Sequence, residues 1–271
     1  MSTSFFCCPV CGEPLAGENT LACRNHHTFD KSKYGYVNLL LSNQSSKKRH
    51  GDDKVMVQSR SAFLEKGYYA PIRQAVLDAL IQCAATGMRV LDAGCGECWY
   101  TSYFAQELAA FSPNLAGVDI SKDALRHGAK RGGAELAVAS TARLPVASDS
   151  CDAVLNIFSP PEIGEFRRVL CPGGTLIRVL PMAQHLWALK SALYDKPYLN
   201  PMPETSLPGF DLLTQMDLRY SIQLDANIDV WNLFTMTPYF YKTGRSDQAK
   251  LQNLTHLTET IEVSIFSYRK I

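Results

Sequence analysis

The sequence predicts an α/β fold, a mostly parallel sheet with helices on both faces, preceded by a small separate module. Two observations carry this prediction. From residue 71 onward, short apolar segments alternate with segments of helical periodicity, a rhythm typical of parallel sheets. Before that point, four of the nine cysteines lie within the first 23 residues, just ahead of two histidines. We therefore divide the chain into residues 1–41, 42–70 and 71–271.

The composition narrows the class of protein. The chain has 271 residues, 46% hydrophobic and 20% charged, which excludes a disordered or fibrous protein. Its formal charge of +1 means that nucleic-acid binding would need a local basic patch. No apolar run approaches the ~18–20 residues of a membrane span, and no basic segment suggests a secretory signal. We therefore expect a cytoplasmic protein without membrane contact, whose clustered cysteines hold metal.

The first region has the spacing of a metal site. Two residues separate Cys8 from Cys11, which lets both thiolates bind one ion, and Gly12 permits the tight turn. Eleven residues separate Cys11 from Cys23, and His27 lies four positions beyond Cys23. Three sulfurs and one nitrogen form a closed tetrahedral set, suited to one structural Zn²⁺ and unsuited to Lewis-acid catalysis.

Neighbouring residues leave alternatives open at this site. Cys7 offers a thiolate in place of Cys8, and His26 offers a nitrogen in place of His27. The alternative to a metal site is that these cysteines are independent thiols and that the histidines lie on the surface. A segment this short has no core of its own, so we expect it to depend on the ion to fold.

Residues 28–70 connect the cysteine-rich module to the α/β region. Residues 34–41 favour an extended conformation, and the polar composition of residues 42–54 is typical of a loop. Within that loop, Lys47-Lys48-Arg49-His50 is the densest positive charge of the chain. Such a run either contacts phosphates or is simply solvated.

In the third region, strands and helices alternate. The pattern predicts helices over residues 71–85, 99–110, 122–131 and 162–170. It predicts strands over residues 88–93, 115–120, 135–139, 153–158 and 175–180. Pro71 suits the first turn of its helix, and Ser121 suits an N-cap.

The loop after the first of these strands is glycine-rich. Gly94 and Gly96 let backbone pass close beneath a ligand, and the next helix points its amides towards it. A dinucleotide fingerprint would need glycine at position 99, where this chain has Trp99. The pattern Asp92-x-Gly94-x-Gly96 instead resembles motif I of the class I S-adenosylmethionine-dependent methyltransferases. That resemblance implies that Asp92 lies near the amino-acid end of the cofactor.

Two later features follow in the order that this fold requires. Asp119 ends the second strand, where ribose hydroxyls need acceptors, although it also suits a helix cap. The turn at residues 172–174 (Pro-Gly-Gly) resembles the segment that precedes a strand in the same methyltransferases, although it also suits an ordinary turn. With the glycine loop, these features predict S-adenosylmethionine as the cofactor. Cys98 replaces the usual third glycine, which predicts a crowded loop.

The two regions together resemble the RlmA family, bacterial enzymes that methylate N1 of a guanine in 23S ribosomal RNA. The matching segments run through most of the chain: Cys8-Pro9-x-Cys11, Cys23-x-x-x-His27-x-Phe29-Asp30, Gly35-Tyr36-Val37-Asn38-Leu39-Leu40, Gly51-Asp52, Met56-x-x-x-Arg60-x-x-Phe63-Leu64, Gly67-x-Tyr69-x-Pro71, Arg143-Leu144-Pro145, Pro160 and His185-Leu186-x-x-Leu189-Lys190. Beyond about residue 200 the match is loose, apart from Thr235-Met236-Thr237-Pro238.

The resemblance implies specific site residues and a specific substrate. By that resemblance, the zinc ligands are Cys8, Cys11, Cys23 and His27. The implied cofactor contacts are Tyr69, Gly96, Glu97 and His185. The implied substrate is hairpin 35 of 23S rRNA. A homodimer is compatible with these features, although none of them predicts it.

Methyl transfer needs the nucleophile in line with the sulfonium methyl, about 3 Å away. Guanine N1 carries a proton, so a base or a donor to O6 should lie opposite the cofactor. His185 is within reach but is assigned to the cofactor, and we identify no catalytic base. Asn156 ends the fourth strand, where such enzymes present substrate. Phe158 either stacks on an extruded base or belongs to the core.

We expect the zinc module, the basic segment 47–50 and Arg60 to grip RNA beyond the target nucleotide. Two other functions compete with this one. A small-molecule methyltransferase would share the sheet but rarely needs a zinc module. A zinc-ribbon RNA-binding protein with an inactive transferase fold would keep the module and lose the cofactor.

Overall fold

A computed structural model describes residues 3–41 and 51–271, and twelve strands form two sheets within them. A small antiparallel sheet contains β1 (Thr3–Cys7), β2 (Pro14–Ala16), β3 (Thr20–Ala22) and β4 (Thr28–Asp30). A large sheet contains β5 (Val37–Asn38), β6 (Arg89–Ala93), β7 (Asn114–Asp119), β8 (Glu135–Val138), β9 (Cys151–Ile157), β10 (Leu170–Pro181), β11 (Phe210–Leu224) and β12 (Leu257–Lys270).

Eight α-helices accompany these strands in the same residues. They are α1 (Lys54–Glu65), α2 (Ala70–Ile81), α3 (Trp99–Glu107), α4 (Lys122–Arg131), α5 (Ile163–Val169), α6 (Trp187–Leu193), α7 (Asn227–Thr235) and α8 (Arg245–Ala249). None of them is long and apolar enough to cross a bilayer.

The large sheet has the order β11-β12-β10-β9-β6-β7-β8-β5. Its pairs are parallel, except that β12 runs antiparallel to both β10 and β11. The strand order reverses between β6 and β9, and open α/β sheets bind ligands at the carboxyl ends of the strands at such a point. The predicted mostly parallel α/β architecture is confirmed.

The predicted elements from residue 88 to 180 are present with shifted ends. The predicted helix 71–85 stops at Ile81, because Cys83 and Ala84 make tighter three-residue hydrogen bonds to Leu80 and Ile81. The strand predicted at 175–180 is longer, beginning at Leu170 as part of β10. Of the extended segment 34–41, only β5 pairs with the sheet, at the edge beside β8.

Helices cover one face of the sheet. Val90, Leu155 and Ile177 point to that face and share a buried cluster with α1, α2, α3, α6 and α7. The other face carries Leu91 and Val154 and packs against α5 and the N-terminal module.

The N-terminal module occupies a place where this fold usually has a crossover helix. Between β8 and β9, the chain forms only a 3₁₀ turn over Thr141–Arg143. The Cys7 backbone N–H donates to the Pro145 carbonyl at 2.8 Å, and the Ser4 hydroxyl donates to Glu135 at 2.7 Å. The module therefore packs against the large sheet and shares a hydrophobic cluster with it.

Candidate functional site

The predicted cofactor residues meet at the carboxyl edge of the parallel strands. Gly94 and Gly96 follow β6, and Asp119 ends β7. Phe158 follows β9, and His185 comes shortly after β10. Because neighbouring parallel strands end at the same edge, residues from four separate stretches of the chain lie along one edge of the sheet.

The glycine loop leaves room for a ligand. Gly94 has φ +93° and Gly96 has φ +54°, both in the left-handed region that favours glycine. A Cβ on Gly94 would lie 2.1 Å from the Ser159 hydroxyl oxygen, so that position must be glycine. A Cβ on Gly96 would have no atom within 4 Å, so the space beside it is open.

Unpartnered polar atoms line this loop. Among the described residues, four buried side-chain polar atoms have no hydrogen-bond partner, and three of them are Asp92 Oδ1, Glu97 Oε2 and the Tyr100 hydroxyl. Such atoms are rare in folded proteins unless a ligand or water completes them. The second oxygen of Asp92 accepts from Thr101 at 2.6 Å, and the second oxygen of Glu97 accepts from Arg131 at 2.7 Å. Each carboxylate is thus anchored on one side and unpaired on the other.

These groups fit S-adenosylmethionine, which carries a positive sulfonium, an ammonium group and two ribose hydroxyls. Burial raises the pKa of Asp92 to about 7, although the hydrogen bond from Thr101 acts to lower it. A nearby cation would favour the charged form of this carboxyl group. Asp119 accepts backbone N–H groups from Gly96 at 2.9 Å and Ser121 at 2.7 Å. Each of its oxygens keeps a second lone pair for a hydroxyl donor.

Cys98 does not crowd the loop as the sequence suggests. It adopts φ +59°, the left-handed conformation of the glycine that it replaces, and its side chain is buried. A Cβ on Gly128 of α4 would lie 2.5 Å from the Cys98 sulfur. The thiol therefore packs against α4, in space that Gly128 leaves.

Three aromatic rings form a group beside the loop. The ring centre of Tyr69 lies 5.7 Å from that of Phe158 and 6.4 Å from that of His185. Phe158 stacks on His185 at 5.9 Å with an interplanar angle of 21°. Phe158 is 39% exposed and has φ +53°, so the interpretation of this residue as core is wrong. Its ring is available for stacking at the edge of the site.

His185 is a neutral donor in this environment. Its Nδ1 accepts the backbone N–H of Glu262 at 3.3 Å, which places the ring proton on Nε2. Burial, together with the nearby charge of Lys190, lowers the pKa of His185 to about 3. The imidazole therefore has no free nitrogen with which to accept a proton at neutral pH.

Asn156 does not present substrate, contrary to expectation. Its side chain is fully buried, and its amide donates to the carbonyls of Ser159 at 3.1 Å and Pro160 at 3.4 Å. Asn156 therefore fixes the loop that carries Phe158.

Arg60 also differs from its expected role in gripping RNA. Its guanidinium donates to the Met236 carbonyl at 2.9 Å and pairs with Asp52. The Asp52 carbonyl in turn accepts from the Ser121 hydroxyl at 2.6 Å, two residues after Asp119. These bonds connect Arg60 of α1 to the segment that follows β7. The basic segment 47–50 lies outside the described residues.

A second constellation lies in the N-terminal module. The ligand atoms of Cys8, Cys11, Cys23 and His27 all lie within 4.8 Å of one another. The sulfurs of Cys11 and Cys23 are 3.7 Å apart, and His27 Nδ1 lies 3.5 Å and 3.4 Å from the sulfurs of Cys8 and Cys23. Ordinary zinc bond lengths predict about 3.8 Å between two sulfurs and about 3.5 Å between sulfur and nitrogen. The four residues fit one tetrahedral Zn²⁺.

The alternative ligands lie outside this group of four. Cys7 is buried, and its burial raises the pKa of its thiol. His26 adopts φ +60° in the turn between Cys23 and His27. Hydrogen bonds from the Glu13 backbone and then from Asn25 lower the pKa of Cys11 to about 6, which favours the thiolate that zinc binds.

Sequence reasoning missed Tyr100, whose buried hydroxyl has no hydrogen-bond partner among the described residues. It follows Trp99 in the first turn of α3. The sequence pattern predicts that an aromatic residue in the first turn of a helix belongs to the hydrophobic core. Only the packing shows that the Tyr100 hydroxyl has no partner.

Comparisons with known families agree with this geometry. Residues 6–48 match a zinc-ribbon family described as "RlmA, N-terminal". Residues 90–174 match a family described as "Methyltransferase domain".

Curated relatives extend over nearly the whole chain. The "23S rRNA (guanine(748)-N(1))-methyltransferase" of Streptomyces fradiae is 34% identical, over 80% of this chain and 79% of the relative. A Micromonospora griseorubida protein named "Putative 23S rRNA (guanine-N(1)-)-methyltransferase" is 37% identical, over 97% of each chain. The Bacillus subtilis (strain 168) protein "Putative 23S rRNA (guanine-N(1)-)-methyltransferase YxjB" is 30% identical, over 97% of this chain and 96% of the relative. The chain therefore belongs to the family of the 23S rRNA (guanine-N1)-methyltransferases.

Proposed function

We propose that this protein transfers a methyl group from S-adenosylmethionine to N1 of a guanine in hairpin 35 of 23S rRNA. The observation that carries this proposal is the exposed Phe158 ring, stacked on His185 beside a glycine loop with unpaired carboxylate oxygens. That arrangement combines a stacking surface for a base with acceptors for a cationic cofactor. The choice of hairpin follows from the family resemblance.

The cofactor would be held by Tyr69, Asp92, Gly94, Gly96, Glu97, Asp119 and His185. When bound, S-adenosylmethionine supplies an electrophilic methyl group on sulfur. Asp92 offers its unpaired oxygen to the positively charged amino-acid end, and Asp119 accepts from the ribose hydroxyls. Gly96 leaves the space in which the cofactor approaches the backbone.

Phe158 would hold the target base. A paired guanine hides N1, so the nucleotide must leave its stack, and an aromatic ring then replaces the lost stacking. His185 stacks on the Phe158 ring. Because its imidazole stays uncharged, it does not compete with the sulfonium for the carboxylates. It does not act as the base for the N1 proton, because Nε2 already carries a proton.

Cys8, Cys11, Cys23 and His27 would bind one Zn²⁺. Four protein ligands complete its coordination, so the ion stabilises structure and takes no part in methyl transfer. Because this module packs on the sheet, we propose that it stabilises the catalytic domain. We also propose that it contacts RNA outside the site of methyl transfer.

The most direct test is to map N1-methylguanine in 23S rRNA from cells with and without the gene. We expect one modified guanine in hairpin 35 to disappear without the gene and to return with the wild-type chain. In vitro, a hairpin 35 transcript should accept methyl groups, whereas a low-molecular-weight extract should not. Methylation of the extract alone would support a small-molecule enzyme, and no cofactor binding in calorimetry would support an inactive fold.

We also infer a cytoplasmic homodimer. Ribosomal RNA is modified in the cytoplasm, which is the basis for the location.

The dimer is inferred from β11, a 15-residue strand at the edge of the sheet in which Leu212 is 44% exposed and Leu213 is 47% exposed. Long apolar edge strands favour pairing with another strand, and a second copy offers the same edge.

A further inference from the structure

Arg73 is held between two aromatic rings on the outer side of the helical layer. Its guanidinium carbon lies 3.9 Å from the ring centre of Trp99 and 4.0 Å from that of Tyr103. The Tyr103 hydroxyl donates to Gln74 at 2.9 Å, which fixes the orientation of that ring. The plane of the guanidinium is therefore set before any ligand arrives.

The hydrogen-bond donors of this guanidinium are unused. Within residues 3–41 and 51–271, no acceptor and no carboxylate bonds to the Arg73 side chain. Arg89 provides a contrast, because it also lies over a ring, that of Phe5 at 4.1 Å. Its N–H groups donate to the carbonyls of Ser150 at 3.0 Å and Phe5 at 3.3 Å. Arg89 is thus a structural arginine, whereas the donors of the partly exposed Arg73 remain available to a ligand from solvent.

Arg73 lies at a surface cavity of about 290 Å³. Arg131 also lines this cavity, but its charge is balanced by Glu65 at 2.6 Å and Glu97 at 2.7 Å. Glu65 lines the cavity as well, whereas Arg73 itself has no carboxylate partner among the described residues. This volume is near the lower end of the range of ligand pockets, about 300–1,000 Å³, and is sufficient for one phosphate group.

The cavity is close to the proposed site of methyl transfer. Arg73 lies in the first turn of α2, and its backbone N–H donates to the Tyr69 carbonyl at 3.1 Å. Trp99 is the first residue of α3, directly after the glycine loop. Four residues of helix rise about 6 Å, so Arg73 is about one turn from a proposed cofactor contact.

We propose that Arg73 binds a backbone phosphate of the RNA substrate next to the nucleotide that is methylated. The inference rests on the proposed function, since RNA is the anion that this function brings to the edge of the site. A stacked guanidinium presents two parallel N–H groups, which match two phosphate oxygens. A phosphate contact here would fix the register of the RNA while Phe158 receives the base.

The test is binding of a fluorescent hairpin 35 transcript at several chloride concentrations. Arg73→Gln should weaken binding about tenfold, near the lower end of what hydrogen bonds to a charged group contribute. It should also reduce the slope of log affinity against log salt by about one, since one phosphate contact is lost. Arg73→Lys keeps the charge and loses the fork, so it should weaken binding and retain the slope. Arg269→Gln, which removes a charge paired with Asp211 at 3.6 Å, is the matched control and should change neither.

Several outcomes would overturn the inference. The inference about Arg73 is wrong if Arg73→Gln binds RNA with the wild-type affinity and salt slope. If the wild-type protein still methylates the hairpin in that case, the proposed function is retained. Another such outcome is displacement of the transcript by inorganic phosphate more than by chloride of equal ionic strength, which indicates a free-anion site. Failure of the wild-type protein to bind the hairpin removes both proposals. Calorimetric S-adenosylmethionine affinity should stay unchanged in Arg73→Gln and Arg73→Lys, which verifies that both variants are folded.

Discussion

At the scale of single residues, the site combines anchored and unpaired oxygens. Asp92 and Glu97 each bind one protein donor and leave one oxygen without a partner. Both residues were expected from family resemblances, Asp92 from motif I of the class I methyltransferases and Glu97 from the RlmA family. Tyr100 and Arg73 escaped prediction, because their roles depend on which helix faces meet, and single-sequence periodicity does not contain that information.

The buried carboxyl of Asp92 gives cofactor binding a pH dependence. Since its pKa is raised to about 7, the free protein binds a proton there below that pH. The cationic cofactor favours the ionised form, so binding releases this proton. We expect the affinity for S-adenosylmethionine to rise as pH increases towards about 7 and then to level off. Calorimetry in buffers of different ionisation enthalpy measures the released proton, and Asp92→Asn should abolish it; a flat wild-type profile would contradict this assignment.

Phe158 provides a second test at this scale. Stacking of one base on an aromatic side chain contributes about 1–3 kcal/mol. Phe158→Leu should therefore lower kcat/KM for the RNA by about 5- to 150-fold. Phe158→Tyr retains the ring and serves as the control, with a change of only a few-fold. Equal losses in both variants would indicate that the ring does not stack on the base.

At the scale of elements, sequence periodicity worked where strands are buried and helices have one apolar face. It missed α1, whose buried Met56, Val57, Phe63 and Leu64 leave a polar stretch between two apolar pairs. It also missed β11, which is exposed over its first half and alternates between more and less buried residues only over positions 218–224. The pairing of β11 with β12, and not its own residues, makes it a strand.

The exposed edge of β11 predicts the effect of added charge. Leu213→Lys combined with Met216→Lys places like charges on both copies of a self-pairing edge. We expect this variant to be monomeric by light scattering at concentrations where the wild-type protein is a dimer. Ile228→Lys, a substitution of a 62% exposed residue on α7, should leave the dimer intact. A monomeric wild-type protein would refute the proposed homodimer directly.

At the scale of the whole molecule, the N-terminal module and the sheet share one hydrophobic core. Phe5 and Phe6 of the module lie in the same cluster as Leu91 and Val118 of the sheet. The spacing of cysteines predicted a separate module, and its packing onto the sheet was not predictable, because the residues in contact are more than eighty positions apart.

This packing predicts that metal removal affects the whole protein. Cys8→Ser with Cys11→Ser, or treatment with a zinc chelator, should lower the thermal midpoint of the entire chain in one transition. Calorimetry is the measurement, and Cys171→Ser, outside the module, is the control. Two separate transitions, with the larger one unmoved, would indicate that the sheet does not need the module.

The docking of Phe5 and Phe6 also matters during synthesis. The ribosome releases the module first, while β6, β7 and β8, which cover these two rings, emerge at least eighty residues later. During that interval the nascent chain carries an apolar surface without its partner strands. A metal acquired early would keep the newborn segment folded and limit its aggregation, so metal supply would set how much enzyme matures.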